Sequence, residues 1–367
     1  MTVTIDTTAV RRRGGAGAAG IARYALNLVE ALRRAAPAER VDEFALSTDP
    51  VVARHLDWGD RRWRALAAIS HALPLNLEAR IGPTDVFIAA DHVLPRLRRA
   101  RSVFILYDCT YLTAPQTHST FNRLYLQALM PSFLRAADAV VAISESTRRD
   151  AERFYPLPAG RVEVVYPGVG PAFAPVHAAA RLTALRARYR LPDRFVLFVG
   201  TFEPRKNLAV VLRALAQPGL RDVPLVVAGR PGWLVAETER LIESLGLGAR
   251  VLRIGRVPDE DLPALYTSAE AFVFPSLYEG FGLPALEALA CGAPVLAADT
   301  SSLPEVVGAA GRLLPPHAVD AWADAIATLW GSAAQRDSLR AAGPGQAQRF
   351  SWDETASRFW SICHALL

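Results

Sequence analysis

The stretch Tyr278-Glu279-Gly280-Phe281-Gly282-Leu283-Pro284-Ala285-Leu286-Glu287-Ala288-Leu289-Ala290-Cys291-Gly292-Ala293-Pro294-Val295 decides the fold class. A short apolar strand over 271–275 runs into its glycine turn. Pro284 then stands at a first helical position, where a missing N–H costs nothing. Gly292 ends the short helix, and a second strand begins at 294. The turn Phe281-Gly282-Leu283 therefore offers backbone amides at a helix N-terminus, an anion site by geometry. Glu279 enters that turn and Glu287 projects from the helix. Two carboxylates beside a phosphate would repel it, so they suit hydroxyl groups, as on a sugar or a ribose. The plainer alternative is that Glu287 favours the helix macrodipole and Glu279 caps a turn.

Strand–helix–strand alternation extends over the rest of the chain and predicts parallel α/β sheets. Strands are expected over 3–8, 43–47, 85–89, 103–107, 139–144 and 161–166, then over 195–201, 224–229, 250–256, 271–275 and 294–298. The segment 167–192 is irregular and then helical, which suggests two domains, 1–170 and 193–348, joined by a linker over 171–192. A last helix starts at Phe350-Ser351-Trp352-Asp353, with Ser351 or Asp353 as its N-cap.

At 367 residues, 51% hydrophobic and 21% charged, the chain suits two soluble globular domains. Its net charge of +5 fits an anionic ligand or an acidic membrane surface without demanding nucleic acid. Cys109, Cys291 and Cys363 form no C-x-x-C pair and read as thiols in a reducing compartment. With neither a secretory signal nor a membrane-spanning run, the cytoplasm is the expected location. The basic, Trp-containing run Arg61-Arg62-Trp63-Arg64-Ala65-Leu66-Ala67-Ala68-Ile69 suggests either peripheral membrane contact or a helix packed on the first sheet.

Of 41 basic residues only Lys206 is lysine, in Glu203-Pro204-Arg205-Lys206-Asn207-Leu208. It follows the Gly200-Thr201 turn and precedes a helix whose Leu208, Val211, Leu212 and Leu215 are expected to face inward, with Asn207 as cap. Arg205 offers a planar fork and Lys206 a point charge, so the pair can hold different oxygens of one anion. Gly15-Ala16-Gly17-Ala18-Ala19-Gly20 matches G-x-G-x-x-G but starts too far beyond its strand for a dinucleotide fold, and no acidic residue follows a second strand at the required distance. It leaves either an anion or acceptor contact or a loop that simply starts a helix.

Glutamate, seven residues and glutamate around F-G-L-P, together with R-K-N-L, resembles the signature of the retaining GT-B glycosyltransferases, the group of sucrose synthase and the phosphatidylinositol mannosyltransferases. Gly20-Ile21-Ala22-Arg23-Tyr24, Ile143-Ser144-Glu145-Ser146-Thr147, Val165-Tyr166-Pro167-Gly168-Val169 and Phe350-Ser351-Trp352 are similar to other parts of that family. The resemblance implies two Rossmann-like domains facing each other across a cleft, with the C-terminal helix, 349–367, returning to the first. It implies a nucleotide-diphosphate sugar donor on the second domain and a glycan, lipid-linked or small-molecule acceptor on the first, in bacterial polysaccharide or glycoconjugate assembly. Arg205 and Lys206 would hold the diphosphate, Glu279 the sugar hydroxyls and Glu287 the ribose. Gly200, Thr201 and the amides of Phe281, Gly282 and Leu283 would line the donor site, and Gly20 would face it from the other domain. Arg230 would lie near the nucleotide, or is an ordinary solvated arginine. No metal or other cofactor is expected.

Two departures concern the acceptor side. A histidine–aspartate pair common in the family reads Tyr107-Asp108 here, so the histidine's part falls to Tyr107, Asp108 or His92; a histidine such as His92 or His118 is more often a surface or core residue than a catalyst. A glycine usual after Gly20 is Ala22. The residues also leave open a phosphorylase or epimerase, a non-catalytic sugar-nucleotide sensor and a dehydrogenase.

Overall fold

The computed structural model describes residues 1–11, 20–46, 54–56, 58–73, 75–230, 232 and 235–367. Most of the glycine loop at 15–20 lies outside them, as does the end of the strand expected over 43–47. The chain divides into two compact units, Met1–Gly168 with Ser351–Leu367, and Val169–Phe350. The segment 171–192, expected as a linker, belongs to the second unit.

The first unit carries strands β1 (Thr2–Asp6), β2 (Arg40–Leu46), β3 (Arg54–Leu56), β4 (Val86–Ala89), β5 (Arg101–Leu106), β6 (Ala139–Ala142) and β7 (Val162–Val164). They form one sheet in the order β3-β2-β1-β4-β5-β6-β7, every pair parallel. The second unit carries β8 (Val196–Val199), β9 (Leu225–Ala228), β10 (Val251–Gly255), β11 (Ala271–Phe274), β12 (Val295–Ala298) and β13 (Gly311–Leu314), again all parallel, in the order β10-β9-β8-β11-β12-β13. Central strands such as Val86-Phe87-Ile88-Ala89 and Val295-Leu296-Ala297-Ala298 are buried at every position, because helices cover both faces of a parallel sheet.

Six helices frame the sites of the two units. They are α1 (Gly20–Ala35), α2 (Asp60–Ser70), α3 (Thr120–Ala136), α4 (Leu208–Leu215), α5 (Leu283–Ala290) and α6 (Trp352–Ala365). Helix α2 resolves the choice left by the basic, Trp-containing run. Trp63 is buried and its ring lies 5.2 Å from that of Phe44, so the helix is packed on the first sheet and its tryptophan is no interfacial anchor. Helix α6 packs on α1 within the first unit. Trp360 Nε1 donates to the Leu32 carbonyl at 3.2 Å, and the Trp352 ring lies edge-on to Tyr24. Its cap is Ser351, whose hydroxyl accepts from the Glu354 amide at 3.1 Å. No helix among the described residues is long and apolar enough to cross a membrane.

Candidate active site

In an open parallel sheet, the crevice lies beyond the carboxyl ends of the strands where the order reverses. In the second unit the order reverses between β8 and β11. The chain leaving β8 carries Gly200 to Lys206, and the chain leaving β11 carries Ser276 to Leu283. The two motifs singled out in the sequence therefore converge at the switch point.

Leaving β8, the chain makes a single 3₁₀ turn, Pro204–Lys206, before α4. Asn207 adopts a left-handed conformation, φ 52°, and does not cap α4 with its side chain as expected. Its amide instead donates to the carbonyls of Pro275, at 3.2 Å, and Pro316, at 2.7 Å. That ties the turn to the end of β11. The Leu277 amide donates to the Arg205 carbonyl at 2.8 Å, and the Arg205 guanidinium donates to the Tyr278 carbonyl at 2.6 Å. The inward apolar face of α4 is as expected, with Leu208, Val211, Leu212 and Leu215 all buried.

The Glu279 carboxylate sits between both cations. One oxygen lies 2.6 Å from Lys206 Nζ and the other 3.0 Å from Arg205. Arg205 also holds Glu203 at 2.5 Å, and Lys206 Nζ stands 5.2 Å from the centre of the Phe274 ring. Burial alone would raise the Glu279 carboxyl, but Arg205 and then Lys206 bring it down to about 2. Burial pulls the Lys206 ammonium below its ordinary value, while Glu279 opposes that shift. The carboxylate expected to face a sugar, or to cap a turn, is here the counter-ion of Arg205 and Lys206.

The turn after Glu279 is held from below. The Ser301 hydroxyl accepts from the Glu279 amide at 2.8 Å, and the Ser302 hydroxyl reaches the Glu279 and Phe281 carbonyls at 3.0 and 2.7 Å. Gly282 has φ 107°, and a Cβ there would lie 2.8 Å from Leu303, so only glycine passes the chain into α5. Leu283 opens the helix with Pro284 beside it. Glu287, one turn on, is buried and accepts from the Tyr266 hydroxyl at 3.2 Å. Gly200 borders the Lys206 stem, where an added Cβ would lie 3.9 Å from Lys206 Cε, and Thr201 follows at the surface. Arg230, after β9, is exposed, and its carbonyl accepts from the Phe202 amide at 3.2 Å. Glu203, Ser301 and Ser302 were not legible as site residues, because no motif marks a side chain that acts by holding its neighbours.

The other residues belong to the first unit. Gly20 begins α1, where an added Cβ would meet no atom of the described residues within 4 Å, and Ala22 is buried in that helix. The first sheet reverses order between β1 and β4, and Asp6, Asp91 and His92 lie at those strand ends. Tyr107 is 4% exposed, and its hydroxyl donates to the Ala90 carbonyl at 3.1 Å. Burial pushes its phenol well above the ordinary value, so Tyr107 stays neutral and serves as a wall, ringed at 5.3 Å by both Tyr24 and His92. Asp6 and Asp91 carry no signature in the sequence, where single polar residues at strand ends look like any others.

Asp108 heads a hydrogen-bonded chain. Its Oδ1 accepts from the Thr110 amide at 2.9 Å and from the Thr110 hydroxyl at 2.5 Å. Thr110 Oγ1 lies 2.8 Å from His118 Nε2, and His118 Nδ1 lies 3.1 Å from the Asn122 amide nitrogen. A carboxylate only accepts, so the threonine proton points to Asp108 and His118 must donate from Nε2. Its Nδ1 then accepts from Asn122, which fixes the neutral Nε2–H tautomer.

Comparisons with known proteins bear on the family and the fold. The family described as Glycosyl transferases group 1 matches residues 185–346, and Glycosyltransferase Family 4 matches residues 18–173. The O-antigen chain mannosyltransferase B of Escherichia coli is 32% identical over 92% of this chain and 94% of its own length. The serotype-specific mannosyltransferase WbdA of Escherichia coli is 36% identical over 64% of this chain, which spans 29% of that larger relative. In fold, the chain matches the sucrose-phosphate synthase of Thermosynechococcus elongatus over 100% of this chain and 99% of that one, with a TM-score of 0.80 at 24% identity. Anabaena HepE, solved with UDP and glucose, matches over the full length of both chains with a TM-score of 0.75 at 18% identity. Two parallel Rossmann-like sheets, the paired signature motifs and a full-length relative thus place this chain in the GT-B glycosyltransferase family.

Proposed function

We propose that the protein transfers a hexose from a nucleoside-diphosphate sugar to a glycan or lipid-linked acceptor in polysaccharide assembly, with retention of configuration and without a metal ion. The observation that carries this is the buried Arg205–Lys206–Glu279 cluster at the β8/β11 switch point. Cleaving the anomeric C–O bond develops charge on the departing phosphate, and fixed cations aimed at that oxygen stabilise the transition state more than the ground state. The incoming diphosphate competes with Glu279 for the same two cations. Once displaced, the carboxylate is available to accept from sugar hydroxyls. Glu287 lies one helical turn further on, held by the Tyr266 hydroxyl from a separate helix, and suits the ribose. A fixed cationic pair supplies the charge a divalent ion would otherwise bring to the diphosphate, and retention rests on the likeness to the E-x7-E enzymes.

Mannose as the sugar, and GDP-mannose as the first donor to try, are supported by the mannosyltransferase relatives; the UDP complex of a structural neighbour keeps UDP-sugars in the panel. The test is donor consumption by mass spectrometry across GDP-, UDP-, ADP- and TDP-sugars, with and without EDTA. Consumption of one donor, unaffected by EDTA, is expected. Lys206→Ala should lower turnover by about 10²–10³-fold with the thermal unfolding midpoint retained within a few degrees. Near-normal turnover in that variant would sink the assignment of the diphosphate site.

A further inference from the structure

At the β8/β11 switch point two cations, Arg205 and Lys206, meet two carboxylates, Glu203 and Glu279, and the two carboxylates are placed differently. Glu279 bridges the cations, with one oxygen 2.6 Å from Lys206 Nζ and the other 3.0 Å from Arg205 Nη1. Glu203 meets Arg205 at the other tip of its fork, 2.5 Å from Nη2. The Glu279 contact joins residues 73 positions apart, whereas the Glu203 contact spans two residues within one turn of chain. That turn is fixed where it begins. The Lys206 amide donates to the Glu203 carbonyl at 3.0 Å, and Pro204 restricts the backbone that follows.

An anion that spans Arg205 and Lys206 takes the place of Glu279, because that carboxylate fills the space between them. It does not take the place of Glu203. With a diphosphate bound, Glu203 therefore stays on the guanidinium, one fork-width from the phosphate charge. The Arg205 and Glu203 side chains are each only 19% exposed, so water screens that charge weakly.

We propose that Glu203 is a positioning residue for turnover: it holds the Arg205 fork and keeps a negative charge against the diphosphate, which speeds release of the nucleoside-diphosphate product. The inference rests on the diphosphate reading of Arg205 and Lys206 given above. Two unopposed cations would grip substrate and product alike. Binding that is equally strong throughout the cycle raises affinity without raising turnover, and slow product release then limits the rate. Opposing the product outweighs holding the fork, because Nη1 still donates to the Tyr278 carbonyl at 2.6 Å when Glu203 is neutral.

The test measures binding and dissociation of GDP, UDP and inorganic pyrophosphate with the full chain, by calorimetry and stopped flow. Glu203→Gln keeps an oxygen that can accept from Arg205 and removes the charge. It should tighten the bound diphosphate about tenfold and slow its dissociation by a similar factor, with the gain shrinking at high salt. Glu203→Ser, a second neutral variant, should tighten it too. Glu203→Asp keeps the charge and should release the diphosphate within about threefold of the wild-type rate. Unfolding midpoints report whether each variant folds. Unchanged or weaker binding in the folded Gln variant, or in the Ser variant should Gln not fold, overturns the proposal. A residue that only held the turn would loosen the site when replaced. Equal tightening in Glu203→Asp overturns it as well, since shape rather than charge would then be at work. Wild-type protein that binds none of the three anions removes the diphosphate reading and this inference together. Wild-type binding without tightening in the neutral variants leaves that reading in place and sinks the inference alone.

Discussion

Lys206 is where the residue scale is most informative. It is the one lysine of the chain, and it sits buried against Glu279 and over the Phe274 ring. An ammonium is a compact charge that fits there, whereas a planar guanidinium needs more width. The partnership joins residues 73 positions apart, so the sequence could mark both groups as chemically loaded without saying that they face each other. It has a measurable signature in pH. The Glu279 carboxyl ordinarily titrates near 4.5 and is held at about 2 in the folded protein. Its contribution is therefore present above pH 4.5 and lost as pH falls towards 2, on the order of 3 kcal/mol. Glu279→Gln leaves Lys206 buried without that counter-charge, so the variant should be less stable at neutral pH. Chemical denaturation from pH 6 down to 2 should show the gap between the two proteins narrowing. Parallel curves would mean that these cations do not hold the carboxylate.

Among the elements, buried central strands and α4 were legible, because continuous apolar runs and a helical stripe need no tertiary context. Strands β3 and β13 were not. Both are short edge strands, Arg54–Leu56 and Gly311–Leu314, and the latter is only half-buried along its length, so neither shows a strong apolar run. Asn207 departs from expectation for a different reason. An Asn before a helix usually caps it, but a left-handed backbone turns this side chain towards Pro275 and Pro316. Contact between elements also explains Gly168. A Cβ there would lie 2.1 Å from the Trp352 backbone nitrogen, at the start of α6. Gly168→Ala should destabilise the first unit by about 1–3 kcal/mol and speed amide exchange in α6. Unchanged exchange would show that the helix start can yield without cost.

On the scale of the whole molecule, the last helix belongs with the first unit although the entire second unit intervenes in sequence. Trp352, Phe359 and Trp360 are all buried, and burying each large aromatic side chain is worth a few kcal/mol, a large share of the roughly 5–15 kcal/mol that stabilises a domain. Deleting residues 351–367 should therefore leave the first unit unprotected in hydrogen exchange, while the second unit keeps its protection and its binding of a nucleotide sugar. Retained protection in residues 1–168 would contradict this division of the chain.

By itself the sequence determined the alternation of strands and helices, the paired motifs and the family likeness, because apolar periodicity, glycine turns and local charge are properties of neighbouring residues. Only the tertiary structure decided that Glu279 is the counter-ion of Arg205 and Lys206, that Tyr107 is walled in, and that His118 reaches Asp108 through Thr110. Each of these depends on which strand ends the sheet order places side by side, and that order is set by packing across the whole unit rather than by any local run of residues.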